Sequence, residues 1–273
     1  MLRLQTEDGW WLVTHPDHAQ LAGQFAAAWG NAMFAKPVPH GHVLRGIYAH
    51  DDGWTARDAE PMVTREGRPA AFSSELVGTY SAFEEIDLKA YLAVRREAVQ
   101  RVAQQDAYAA ILISMHTHNL LSARADRSTI RAEDLRWLDA FLVEQSTLQR
   151  ALRERLLAEG EVAAEMLSVE RLEENFRLLQ ACDNLSLLSC VDYDGAATLL
   201  WPLCLTDGGA REVRVERVGE RRFRLSPYPF AEPERVFSLR ARFVAGKTFA
   251  SNAVLRVGFS GAKVETLVVS VFG

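Results

Sequence analysis

Apolar residues recur every three to four positions through most of the stretch from Asp17 to Val191, whereas from Arg211 to Phe272 they fall into short alternating runs. The first pattern predicts helices over 17–29, stopped by Gly30-Asn31, then over 41–51, 87–105, 106–121, 134–157 and 169–191. The second predicts strands at EVRVERV, RRFRLS, RVFSLRARF, NAVLRVGF and KVETLVVSVF. At the other end WWLVT reads as a strand that stops before His15-Pro16, because proline restricts the residue before it. The expected fold is α+β. A mostly helical body over residues 1–191, with a small N-terminal strand element, precedes a β-rich lobe over 192–273 packed on it.

The helical phases carry the chemistry. His18 shares a side with Ala22, Phe25 and Trp29; His50 with Val43 and Ile47; His116 with Ala109, Ile113 and Leu120; Asp183 with Leu172, Phe176, Leu179, Leu187 and Cys190. The helix over 134–157 repeats Leu138, Phe141, Leu148 and Leu152 and is read as having no polar residue of interest on that side. Four helices thus each direct one ionisable group of metal-ligand type inward. Burying such groups singly is unfavourable, and gathering them around a divalent ion satisfies all of them. Asp51 follows His50 at a helix end, where both can reach an ion. Imidazoles and carboxylates without thiolates suit Mn, Fe, Zn, Co or Ni and not Ca. Against this stands the plainer reading for each residue: a hydrogen-bonded core histidine, or an aspartate in a buried network.

The segment after the doublet, Asp51 to Pro61, is polar. Gly53 suits a turn with positive φ, Trp54 a pocket wall or a core position, and Asp58 either proton acceptance and support of a ligand histidine or a helix cap. His15, His40 and His42 lie near turns as rim or capping residues, and His118 faces about 200° from His116 on an ideal helix. Lys and Arg are absent between Arg45 and Arg57, so a phosphate-binding cation must come from elsewhere; Arg45, Arg57, Arg124 and Arg127 are candidates.

Composition narrows the classes. The 273 residues, 48% hydrophobic, suffice for a large core, and 31 Lys and Arg against 36 Asp and Glu give a net charge of −5 with no basic track for nucleic acid. Apolar runs end well short of a membrane span and no leader pattern opens the chain, so no membrane partner is expected and the expected location is cytoplasmic. Cys182, Cys190 and Cys204 form no CxxC pair and are expected as reduced thiols. Phe237, Phe243 and Phe249 serve either the core or a dimer surface, which leaves a homo-oligomer open.

The segments THPDHAQLAG, HDDGW and DNLSLLSC resemble a bacterial family called domain of unknown function 3891, over most of the chain. More distantly, the order His18, His50-Asp51, His116, Asp183 resembles the HD superfamily of metal-dependent phosphohydrolases. That resemblance implies His18, His50, Asp51 and Asp183 as ligands of a divalent transition metal, and His116 as a residue for a second metal or the substrate. It also implies hydrolysis of a small phosphate ester, with Asp51 or Asp58 handling the attacking water. No second HH or GYP-like segment follows the doublet, which argues against cyclic-dinucleotide hydrolysis. The chain also lacks GxxxxGK[ST], GxGxxG after a strand, HExxH and GxSxG. The alternatives are a noncatalytic metal or small-ligand binding protein, and a structural interaction domain with an inert buried polar network.

Overall fold

The computed structural model describes residues 1–77 and 87–273, Thr129 by its backbone alone. The N-terminal hairpin, β1 (Leu2–Gln5) and β2 (Gly9–Val13), leads directly into α1 (His15–Ala28). Thr14 caps this helix: its Oγ1 accepts from Asp17 N–H at 3.1 Å and donates to Asp17 Oδ2 at 2.7 Å. Pro16 sits in the first turn, where a missing N–H costs nothing, so α1 begins two residues before the sequence pattern suggests.

The helical body continues with α2 (His40–Ala49), the short α3 (Thr55–Asp58), α4 (Leu88–Ala103), α5 (Ala107–Ser122), α6 (Ala132–Glu159) and α7 (Val169–Cys190). Asp87, Asp106 and Ser168 cap α4, α5 and α7 through their side chains. α6 ends at Gly160, with φ 69°. Its inward side does carry a polar residue, contrary to expectation: Gln145 is fully buried and accepts from Ser114 Oγ of α5 at 2.8 Å. It completes the row 138, 141, 145, 148, 152.

After α7 come β3 (Ala197–Thr198), β4 (Leu203–Cys204), β5 (Ala210–Arg211), β6 (Arg214–Gly219), β7 (Arg222–Ser226), β8 (Glu234–Ala245), α8 (Asn252–Gly261) and β9 (Val264–Phe272). The strand expected at NAVLRVGF is therefore a helix. Its Leu-x-Val-x-Phe alternation reads as strand, but Ser251 caps a helix through Val254 N–H, and only Leu255 and Phe259, four residues apart, are buried. Val257, on the other side, is 73% exposed. Leu255 and Phe259 pack with Trp10, Leu12 and Val244.

Among the described residues one sheet runs β1-β2-β8-β9-β7-β6-β3, with a separate β4-β5 pair. The N-terminal hairpin is thus paired to the C-terminal strands, Trp10 opposite Val244 and Leu12 opposite Arg242. Gly9 permits this closeness, since a Cβ there would lie 2.2 Å from Val244 O. Phe25 of α1 meets Phe237 of β8 edge to face at 4.6 Å, and one apolar cluster runs from α1, α5 and α7 into Val215, Phe223, Leu239 and Val269 of the sheet. The result is a mostly helical core with an N-terminal strand pair and a curled C-terminal sheet. α1 is held between the sheet on one side and α2 and α7 on the other. No helix among the described residues is long and apolar enough to cross a membrane.

Candidate metal centre

Where α1, α2, α5 and α7 meet, the inward rows bring together the five residues with metal-ligand chemistry. α1 contributes His18, the end of α2 His50 and then Asp51, α5 His116 and α7 Asp183, all buried. His18 Nε2 lies 3.0 Å from Asp51 Oδ2; His50 Nε2 lies 3.3 Å from Asp183 Oδ1 and 3.9 Å from Asp51 Oδ2. The three imidazoles form a row, with ring centroids 5.1 Å apart from His18 to His50 and 5.2 Å from His50 to His116. Two groups could hold a metal ion, His18, His50 and Asp51, and His50, His116 and Asp183, the ligand atoms of each lying within 4.8 Å of one another.

The hydrogen-bond partners of these side chains decide whether they fit a cation. His18 bridges two partners, its Nδ1 2.8 Å from Ser186 Oγ and its Nε2 hydrogen-bonded to Asp51 Oδ2 at 3.0 Å. His50 Nδ1 donates to Ile47 O at 2.8 Å. The His50 ring therefore directs its Nε2 lone pair between two carboxylates, an arrangement that holds only around positive charge: a proton on the ring or a metal ion. His50 Nε2 has no hydrogen-bond partner. Without metal, burial disfavours the charged form of His50, but Asp51 and Asp183 outweigh burial and raise its pKa to about 9. Burial pushes His116 down to about 3, so its ring stays neutral with a lone pair to offer. Imidazole nitrogens and carboxylate oxygens suit a divalent transition ion, which either group of three could hold.

Arg95 of α4 is the cation that the sequence reading missed. Its guanidinium is buried, donates to Asp51 Oδ1 and, through Nε, to Tyr91 Oη at 3.1 Å, and lies 5.3 Å from the ring centres of Trp54 and Tyr91. Burial works against its charge, but Asp51 overcomes that and raises its pKa further. Burial alone would raise the Asp51 carboxyl, yet Arg95 and His50 hold it well below the usual carboxylate range. The signal was present in the sequence, because Arg95 stands in the buried row of Tyr91, Ala98 and Val102. Of the cations expected instead, Arg127 pairs with Asp139, Arg45 lies 3.7 Å from Asp106, and Arg57 lies over the Trp54 ring at 6.0 Å. Gln180 and Ser186 were also missed, although they stand three residues either side of Asp183; the Gln180 amide lies 2.8 Å from His116 Nδ1.

Gly53 does not take positive φ, contrary to expectation. It is needed for closeness instead: a Cβ there would lie 2.6 Å from Val94 O, so the Asp51–Trp54 segment can lie against α4 and bring Asp51 to Arg95.

Asp58 lies beside the cluster in a network of its own. Its Oδ1 accepts from the Met1 amino group at 2.8 Å, and its Oδ2 lies 3.0 Å from His15 Nδ1. His15 stacks on Trp54 at 4.6 Å and meets the His18 ring edge to face at 6.1 Å. His42 bonds Asp106 at 2.8 Å, His40 is exposed, and His118 contacts Ser122 on its own helix; none joins the centre.

Compared with known proteins, residues 1–245 match the model of a family described as protein of unknown function, DUF3891. No curated protein matches the chain, and no solved structure does.

Proposed function

The chain belongs to the DUF3891 family, and for it we propose a metal-dependent phosphohydrolase acting on a small phosphate ester. The observation that carries the reading is the unpartnered His50 Nε2, which lies between Asp183 Oδ1 at 3.3 Å and Asp51 Oδ2 at 3.9 Å beside His18 in a buried site. The residue order His, His-Asp, Asp along the helices supports the phosphohydrolase class, as the HD resemblance implies.

His18, His50, Asp51 and Asp183 are the proposed ligands, with His116 beside them. A divalent transition ion bound there would polarise a phosphoryl oxygen and lower the pKa of a bound water. The protein's own groups do the rest. Asp51 keeps one oxygen on Arg95 and turns the other toward the imidazoles, which fixes its orientation and lets it align the attacking water. Arg95 is the proposed cation facing the phosphoryl charge. Asp58 acts through His15, which it holds against Trp54, so its part is positioning. Trp54 and Tyr91 restrict water at the Arg95 side. The test is a broad phosphate-ester panel assayed with Mn, Co, Ni or Zn, on protein of measured metal content. Metal-dependent release of phosphate supports the reading, and turnover that persists without metal refutes it.

The closed form of the site favours one second reading, a metal-binding protein without turnover. Asp183 is the most exposed of the five residues, at 7%. Full metal occupancy with no turnover across the panel would select it.

A further inference from the structure

Asn175 of α7 is only 3% exposed, yet half of its amide is unused. Nδ2 donates one hydrogen to Val38 O at 2.8 Å and the other to Tyr108 Oη at 2.8 Å, and Tyr108 Oη donates onward to Met166 O at 3.1 Å. A backbone carbonyl only accepts, so Val38 fixes which end of the amide is nitrogen. Asn175 Oδ1 is left over and accepts no hydrogen bond among the described residues. A polar atom on so buried a side chain is ordinarily paired, and one that is not calls for a partner from outside the chain. Asn175 lines a crevice between the segment leading into α2, the first half of α7 and β4, with Lys36, Arg171 and Glu174 as its charged walls. Glu174 is matched by Arg171. Lys36 has no ion pair or hydrogen bond among the described residues, so the crevice carries one uncompensated positive charge. The stem of Lys36 is set in place by Gly30, where a Cβ would lie 2.4 Å from Lys36 Cγ. The enclosed space is about 20 Å³, room for one water-sized group. Lys36 is exposed, so a charge paired with it lies toward solvent.

We propose that this crevice binds a small α-hydroxy or α-amino acid, with the hydroxyl or ammonium group on Asn175 Oδ1 and the carboxylate on Lys36. Each feature excludes something. The unused oxygen requires a hydrogen donor, which acetate and other plain carboxylates lack. The uncompensated ammonium of Lys36 calls for a negative charge, which water and neutral alcohols lack. The enclosed space admits one small group and neither a ring nor a phosphoryl group. In an α-substituted acid the donor and the carboxylate sit on adjoining carbons, so one small molecule meets both demands. The crevice stands apart from the metal centre: Asn175 lies two turns before Asp183 on α7, about 12 Å along the helix.

The test is calorimetric titration of the full chain with glycolate, glycine, acetate and inorganic phosphate, in a buffer free of carboxylates, with thermal melts alongside. Glycolate or glycine should bind once per chain and raise the melting temperature. Acetate leaves Asn175 Oδ1 unpaired and should bind at least ~10-fold more weakly, as should phosphate. Lys36→Ala, a change at an exposed side chain, should weaken glycolate or glycine by ~10-fold, and Lys36→Arg should restore most of the loss. Asn175→Ala should remove the preference over acetate; should it fail to fold, Lys36→Ala and the wild-type ranking of the four probes decide without it. Three results would each overturn the proposal while leaving the metal reading standing: no binding of glycolate or glycine up to ~10 mM, acetate or phosphate binding as tightly as they do, or binding that Lys36→Ala leaves unchanged.

Discussion

Two buried carboxylate networks lie side by side at the start of α1, and they differ in where their hydrogens are. Burial does not separate them: Asp58 is 3% exposed, Asp51 4% and Asp183 7%. Around Asp58 both oxygens face N–H donors, the Met1 amino group on one and the His15 backbone N–H on the other. Burial would raise this carboxyl, but His15 and the amino group outweigh it and hold it below the usual carboxylate range. Around Asp51 and Asp183, by contrast, the His50 ring commits its Nδ1 hydrogen to Ile47 O and leaves Nε2 between the two carboxylates without a hydrogen-bond partner. The first network closes on itself, and the second closes only around an added cation. An ionisable residue in an apolar row is thus not yet a site; a deficit of donors among neighbouring acceptors is what marks one.

The largest effect should come from Asp51→Ala. It removes a proposed ligand and leaves Arg95 buried without its carboxylate, so metal-dependent turnover should fall by at least ~100-fold. Stability should fall by ~3–5 kcal/mol, as when one partner of a buried ion pair is removed. Assays must be read with metal content and folded fraction; equal occupancy and equal turnover would remove Asp51 from the centre. Asp58→Asn should behave differently. Replacing an acceptor oxygen with an amide in a satisfied network should cost ~1–3 kcal/mol by denaturant midpoint, with metal stoichiometry unchanged. Loss of the ion in this variant would show that the two networks are one.

A pH series sharpens the contrast. In the metal-free chain the folded-state pKa of His50, about 9, lies above the ordinary 6.5. Its contribution is therefore fully present below about pH 6.5 and is lost as pH rises toward 9. Thermal melts of metal-free protein should drop over that window, and melts of metal-loaded protein should drop less, since an ion replaces the proton. A flat metal-free profile would contradict the acceptor-facing geometry. The smallest effect is expected from His118→Ala, two residues from His116 on the same helix, whose ring Nδ1 lies 3.4 Å from Ser122 Oγ. Stability should change by less than ~0.5 kcal/mol and metal affinity not at all.

The centre was legible because each ligand falls in a helical row whose other members are apolar, as with His18 beside Ala22 and Phe25, or Asp183 beside Leu179. Arg95 obeys the same rule and was passed over because long cationic side chains ordinarily reach solvent from such positions. Its carboxylate partner comes from a different helix end, 44 residues earlier. NAVLRVGF misled because Leu255, Val257 and Phe259 satisfy a two-residue period, and only the cap at Ser251 and the surface formed by Trp10, Leu12 and Val244 choose the helix. The pairing of the N-terminal hairpin with β8 joins residues more than 230 positions apart, as with Trp10 and Val244, and no local pattern encodes it.

By itself, then, the sequence determined the helical rows and the inward direction of His18, His50, His116 and Asp183, because 3.6-residue periodicity is a local property of the chain. Only the tertiary structure decided which partner takes each hydrogen. Ser186 against His18, Ile47 O against His50, Gln180 against His116 and Arg95 against Asp51 fix where lone pairs and charges point. Three of these four contacts join residues distant in sequence, so they exist only once helix packing has set the distances, and they turn five inward-facing residues into a candidate metal centre.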